Sequence, residues 1–227
     1  MNQRLTNTAL DLAALSKRAV NATLRAAEAG RFDVLNPNGA HNLACGLEHP
    51  VEVTIRGHAG YYAAGMNQRA SVTVEGNAGT GVAENMMSGT VRVAGGVSQS
   101  AGATAHGGLL VVHGDASARC GISLKGAEIV VGGSVGAMSG FMAQAGTMVV
   151  CGDAGEALGD SIYEARLYVR GSVKSLGADC EEKEMDQASL AEVADLLARA
   201  GIDADPATFR RYGSARRLYN FHVDDAW

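Results

Sequence analysis

Large rings are scarce in this chain. Of its 227 residues only 5% are aromatic, with a single Trp and 3 Pro. A core without rings must be filled by Val, Ala, Leu and Ile, which suits a narrow interior. Excess basic charge is missing too: 19 Lys and Arg stand against 24 Asp and Glu, a net charge of -5. That removes the positive field a nucleic-acid binder needs. No apolar run approaches the roughly 18 residues of a spanning helix. The N-terminus lacks the basic-then-apolar order of a secretion signal, so a cytoplasmic location is the expectation. The 4 cysteines, Cys45, Cys120, Cys151 and Cys180, form no C-x-x-C pair, which points to reduced, inert thiols. None of the 6 histidines is spaced three or four residues from another, so no zinc site is expected. There is no G-K-[ST] and hence no phosphate loop of that kind, and the G-x-S-x-G of Gly132 to Gly136 falls on the repeat's own turn positions rather than in a nucleophile elbow.

What the chain has in quantity is glycine, 30 residues of it, and the glycine is periodic. Gly57, Gly76, Gly95, Gly114, Gly133, Gly152 and Gly171 follow one another at a spacing of nineteen. A fixed period of this length marks a stacked repeat architecture. Seven units run from 52–70 to 166–184. Their second position is always apolar (Val53, Val72, Val91, Leu110, Ile129, Met148, Leu167), and so is their fourth (Ile55, Val74, Val93, Val112, Val131, Val150, Val169). The third, between them, is mixed: Thr54, Thr73, Arg92, Val111, Val130, Val149, Tyr168. Apolar alternation over a few β-branched residues, stopped by glycine, is a short strand. The sixth position, the glycine itself, suits a turn at positive φ. The seventh is small or polar, the eighth is Ala or Val, and the thirteenth, only Gly or Ala, suggests a tight corner.

Such strands bury their apolar face only by stacking, parallel and in register, at about 4.8 Å per rung. The expectation is an all-β core: a right-handed parallel β-helix of seven nineteen-residue coils, rising roughly 34 Å at that spacing. Leucine-rich repeats fit less well because their period is longer and they carry an Asn/Cys column.

The flanks read as helical, giving three parts: an N-terminal helical cap over 1–32, the β-helix over 33–184, and a C-terminal helix with an aromatic and Arg-rich tail over 185–227. Thr8 with Asp11 predicts a capping box, followed by the stripe Leu12, Leu15, Ala19, Ala22, Ala26 and a stop at Gly30. Ser189 with Glu192 predicts a second box, followed by Leu190, Val193, Leu196 and Leu197, with Gly201 as the stop. Capping of the open coil ends is the simpler role for both helices. In the tail, Arg210, Arg211, Tyr212, Arg216, Arg217, Tyr219, Phe221 and Trp227 have the composition of an interface. This segment either folds back on the coil or docks on another chain.

Candidate chemistry dissolves on the repeat grid. Asp115 and Asp153 share the seventh column two rungs apart, roughly 9.6 Å by the rung spacing, near the carboxylate separation of inverting glycosidases. The column's other members are turn formers, which explains the acids without catalysis. Arg56 and Glu75, adjacent in the fifth column, make a cross-strand ion pair of little weight. No catalytic, cofactor-binding or metal-binding residue is expected in this chain.

The text between the glycines, such as GNAGTGVAENMMSGTVRVAGG, GGSVGAMSGFMAQAGTMVVCGDAG and GDSIYEARLYVRG, resembles the GXGXG-type β-helix domain. That domain closes the large chain of glutamate synthase, forms one of the separate chains of formylmethanofuran dehydrogenase, and occurs as a short stand-alone chain in glutamate-synthase-like complexes. The resemblance covers about residues 33 to 184. Together with the short length and the ending FRRYGSARRLYNFHVDDAW, it implies the stand-alone form, as in N-methylglutamate synthase (methylamine–glutamate N-methyltransferase). On that resemblance the chain would be a non-catalytic scaffold between an amidotransferase-type subunit and a synthase subunit. The latter would carry FMN and could carry an iron–sulfur cluster. The complex would make N-methylglutamate and ammonia from methylamine and glutamate. The alternatives it implies are a scaffold in another glutamine-dependent glutamate synthase, or the β-helix chain of a formylmethanofuran-dehydrogenase-type complex. The motif's second glycine is present at Gly60, Gly79, Gly136 and Gly155 but replaced by Ser98, Ser117 and Lys174, a departure that could alter a partner-facing surface.

Overall fold

A computed structural model describes residues 7–218. The apolar second and fourth columns become a parallel ladder. Its seven periodic strands are β3 (Val51–Ile55), β4 (Ser71–Val74), β5 (Thr90–Val93), β6 (Leu109–Val112), β7 (Lys125–Val131), β8 (Ala145–Val150) and β9 (Arg166–Val169). The register follows the columns: Val53 faces Val72, Val91 faces Leu110, and Met148 faces Leu167. Both columns are buried in every rung and form one continuous core. A second, thinner ladder of parallel bridges joins the eighth column from Ala59 through Ala78, Val97, Ala116, Val135 and Ala154 to Val173. The chain is therefore a parallel β-solenoid of about seven turns.

The glycine column behaves differently from expectation. Of its seven members only Gly57 has a positive φ, 138°. The others are glycine because the rungs touch there. A Cβ on Gly76 would lie 2.8 Å from the Gly57 carbonyl carbon, and one on Gly152 2.7 Å from that of Gly133. Each glycine N–H donates to the glycine carbonyl one rung earlier, from Gly76 to Gly57 (3.0 Å) through to Gly171 to Gly152 (2.9 Å). The column is thus a line of backbone contact at which no side chain fits.

Left-handed backbone occurs elsewhere in the coil. The thirteenth position is left-handed at Ala64, Ala83, Gly102, Gly121, Gly140 and Gly159, and so are the eleventh and fifteenth, from Tyr62 and Met66 to Ala157 and Ser161. An L residue pays about 1 kcal/mol or more for this conformation. Here the stacking offsets it. The Gly102 N–H donates to Val82 O of the earlier rung (2.8 Å), while the Thr104 N–H donates to Ile122 O of the later one (2.9 Å). Alternating directions leave this corner's backbone hydrogen-bonded to both neighbours.

The N-terminal flank also departs from the expected helical cap. Thr8 and Asp11 lie in β1 (Asn7–Asp11), which pairs in parallel with β2 (Gly30–Leu35), and β2 pairs in parallel with β3. The sheet therefore begins before residue 33. Helix α1 (Lys17–Ala26) is an insertion within this first, longer coil. Its N-cap is Ser16, whose hydroxyl accepts from the Ala19 N–H, and Val20, Asn21 and Leu24 are its buried side chains. Asn21 fastens it by donating to Asn42 O (2.6 Å) and accepting from Ala44 N–H (2.9 Å). Gly30 opens β2 rather than ending the helix. The misreading has a local cause: Asp11 accepts from the Ala13 N–H, an Asx turn after a strand rather than a capping box.

At the other end, α2 (Gln187–Ala200) starts at Asp186, which accepts from the Ser189 N–H, and ends as expected on left-handed Gly201. It does not close the coil end. It lies on the outer face of the sheet, where Val193, Leu196, Leu197 and Ala200 pack on Leu109, Val111, Val130, Val149 and Tyr168. The chain then returns as β11 (Arg210–Ser214). This strand inserts antiparallel between β9 and β10 (Cys180–Lys183).

Candidate interaction surface

β11 decides the role of the aromatic and Arg-rich tail as far as residue 218. Phe209 and Tyr212 are 3% and 2% exposed, inside their own chain. Tyr212 is thereby removed from the expected partner interface, for the physical reason that it completes the core beside β9. Arg210 stays exposed and sends its guanidinium to Gly171 O (2.9 Å). Arg211 is partly buried next to α2. Arg216 pairs with Glu164 (2.8 Å), and Arg217, exposed, donates its N–H to Asp179 (2.9 Å). Tyr219, Phe221 and Trp227 lie outside the described residues.

Beside this strand sits a polar cluster that the sequence reading missed. Glu192, one helical turn into α2, receives Arg166 Nη2 (2.7 Å) and Nε (2.9 Å), the Tyr168 hydroxyl (2.7 Å) and the Thr147 hydroxyl (2.8 Å). Burial alone would raise the Glu192 pKa, but these donors outweigh it and hold the carboxyl below its ordinary value. Burial pushes the Tyr168 phenol up to about 12. With every carboxylate oxygen engaged and the phenol locked neutral, the cluster is a clamp between helix and sheet. Arg92 performs a similar service at the helix's far end, donating to Arg199 O (2.6 Å) and Ala200 O (3.2 Å), the carbonyls a helix terminus leaves unpaired.

The residues that mimic catalytic groups have structural partners. In the seventh column each acceptor side chain receives the backbone N–H one rung later: His58 from Asn77 (2.9 Å), Asn77 from Gly96 (2.9 Å), Asp115 from Ser134 (2.7 Å), Ser134 from Asp153 (3.0 Å) and Asp153 from Ser172 (2.7 Å). The Ser172 N–H and hydroxyl hold the Asp153 carboxyl below the usual range, which is the reverse of what a general acid needs. Arg56 bridges Asp33 (2.8 Å) and Glu75, so the expected pair is a triad. The four cysteines are free, and burial pushes the Cys120 and Cys180 thiols up to about 12, far from a reactive thiolate. Among the described residues no three His, Cys, Asp or Glu side chains gather as a metal site requires, and no helix is long and apolar enough to cross a membrane.

A second exposed surface lies on the left-handed side of the early rungs. Tyr61, Tyr62, Met66 and Met87 are 44–54% exposed there. His41 stacks on Tyr61 with ring centroids 4.4 Å apart. Apolar side chains grouped this way on a surface are commonly contact sites for protein.

Over 222 residues the chain is 55% identical to protein GlxC of Rhizobium meliloti (strain 1021), an alignment spanning 96% of this chain and 97% of that protein. No protein-family model matches it, and no solved structure matches it significantly.

Proposed function

The chain belongs to the same family as protein GlxC, and from that premise we propose that it is a non-catalytic scaffold subunit of a glutamate-synthase-like complex. The observation that carries this reading is the inter-rung relay of the seventh column. The Asp and Ser side chains of the repeat hold neighbouring backbone in place, so the repeat builds a rod instead of a reaction centre. Its repeat text, which resembles the GXGXG β-helix domain, supplies the kind of complex. In this reading the complex is N-methylglutamate synthase. The solenoid joins an amidotransferase-type subunit to an FMN-bearing synthase subunit and holds their sites at a set separation. The exposed Tyr61, Tyr62, Met66 and Met87 and the cationic end around β11 are two chemically distinct faces that two different partners could take.

Co-expression with separately encoded amidotransferase-type and FMN-type chains tests it. The expected product is a yellow complex of three different chains that consumes methylamine and glutamate. Activity from this chain alone would sink the scaffold reading. Preference for glutamine with a reductant would move the complex to ordinary glutamate synthase chemistry.

A further inference from the structure

The early rungs carry an apolar surface that the coil itself does not require. The chain has 6 Tyr, and two of them, Tyr61 and Tyr62, stand side by side here in the open. No later rung places an aromatic residue in either of their columns, the tenth and eleventh. Met66 follows in the fifteenth column, where the next three rungs carry Asn85, Thr104 and Ser123. Stacking therefore accepts small or polar residues at these corners, and the large apolar ones serve something outside the coil. Tyr62 and Met66 line a cavity of about 300 Å³, together with Asn42, Cys45, Glu84 and Asn85. Cations stand beside it. Burial pushes the Cys45 thiol up, and the charges of Arg25 and Lys17 act against it, which places both near the cavity. Both are exposed on α1, and among the described residues neither has a carboxylate partner. In a chain of net charge -5, cations left without a carboxylate beside an apolar cavity invite negative charge from outside.

We propose that this face docks an acidic segment of a partner protein, with one aromatic side chain seated in the cavity and flanking carboxylates on Lys17 and Arg25. A ring packs well between a Tyr and a Met, whose sulfur and flexible stem adapt to it. The flanking charges steer the approach and discriminate against basic segments. Glu84, the one acid in the cavity wall, can accept from the N–H of an indole there. Only the identity of that partner as a subunit of the same complex rests on the scaffold reading.

A synthetic peptide, acetyl-DEDEWEDED-amide, titrated into the full chain by calorimetry tests the face. Saturable binding in the micromolar range is expected, weakening as salt rises. Met66→Asn and Tyr62→Asn should each weaken it by about tenfold. Asn suits the left-handed backbone at both positions, so these variants keep the coil. Lys17→Gln combined with Arg25→Gln should weaken binding by about fivefold and flatten its salt dependence. Met142→Asn, in the same column four rungs later, should change nothing. Absence of saturation, equal binding of the same peptide with Lys in place of its acids, or equal loss in the Met142 variant would overturn the proposal. So would self-association of the chain that Met66→Asn abolishes, since the face would then belong to a second copy. Because the peptide meets this chain alone, failure here leaves the three-chain complex untouched, and failure of that complex to form leaves the peptide site standing.

Discussion

The early and late rungs share one register and differ on their outward side. In β3, β4 and β5 the third column is Thr54, Thr73 and Arg92, all partly open to solvent. In β6 to β9 it is Val111, Val130, Val149 and Tyr168, each 0% exposed, with the last rungs lying against α2. The backbone repeat is the same in both halves. The difference shows that the solenoid's inner columns decide the coil, while one outward column decides whether a coil remains a surface or becomes the floor of a second layer. A single core serves the first half, and two cores on opposite sides of one sheet serve the second.

The largest test of this contrast is a charge placed in the same column on each side of it. Val130→Asp buries a carboxylate without a partner and should cost about 3 kcal/mol or more. Thr73→Asp should stay within about 0.5 kcal/mol, as surface changes do. Urea unfolding midpoints compare the two, and equal losses would erase the distinction between the halves.

A second test uses acid. The Glu192 carboxyl is held below its ordinary pKa by Arg166, Tyr168 and Thr147 against the effect of burial. A depressed carboxylate contributes stability that is present above its unfolded pKa, about 4.3. That stability is lost as pH falls through the lower folded value. Asp153, Asp179 and Asp186 are depressed as well, so acid should loosen the late half first. Amide exchange in β8 and β9 should accelerate below about pH 4 while β3 to β5 remain protected. Glu192→Gln should flatten that dependence and cost about 1 kcal/mol near neutrality. Uniform acid loosening in both halves would count against the clamp.

The smallest effect belongs to Arg56→Gln in the early half. The Arg56 side chain and its Glu75 partner are 42% and 44% exposed, and the less exposed Asp33 keeps a hydrogen bond from Asn7, so these pairs carry little weight. The thermal midpoint should not move measurably, and a clear drop would make the early outer face more than a solvated surface.

The rung register was readable because columns two and four never break, and a one-residue slip would turn both outward. The reason for the glycine column was not readable. A periodic glycine looks the same whether it serves positive φ or a close approach, and only the 2.8 Å that would separate a Gly76 Cβ from the rung before tells them apart. The left-handed corner was hidden for the opposite reason. Tyr62, Met66, Arg119 and Met142 adopt a conformation that their side chains do not favour, because inter-rung hydrogen bonds override local preference. Read as a cap, α2 belongs at the coil end, although the third column, where Thr and Arg give way to Val and Tyr, marks the outer face on which the helix lies. The clamp was harder to foresee: Glu192 looked like half of a capping box, and its partners Thr147, Arg166 and Tyr168 become neighbours only once the rungs are stacked.

β11 has a consequence for length. A ladder of parallel strands is open-ended in principle, since each rung offers the next one the same template, and copies meeting end to end could grow into a filament. Here the run of parallel strands meets a strand of reversed direction, locked between β9 and β10. Beyond it the sheet ends on β10, which runs in the repeat's own direction but is only four residues long and carries Glu181, Glu182 and Lys183, charges of the kind that blunt an open edge. The reversed strand breaks the ladder and the short charged strand beyond it closes the edge, turning a pattern that could repeat indefinitely into an object of counted size.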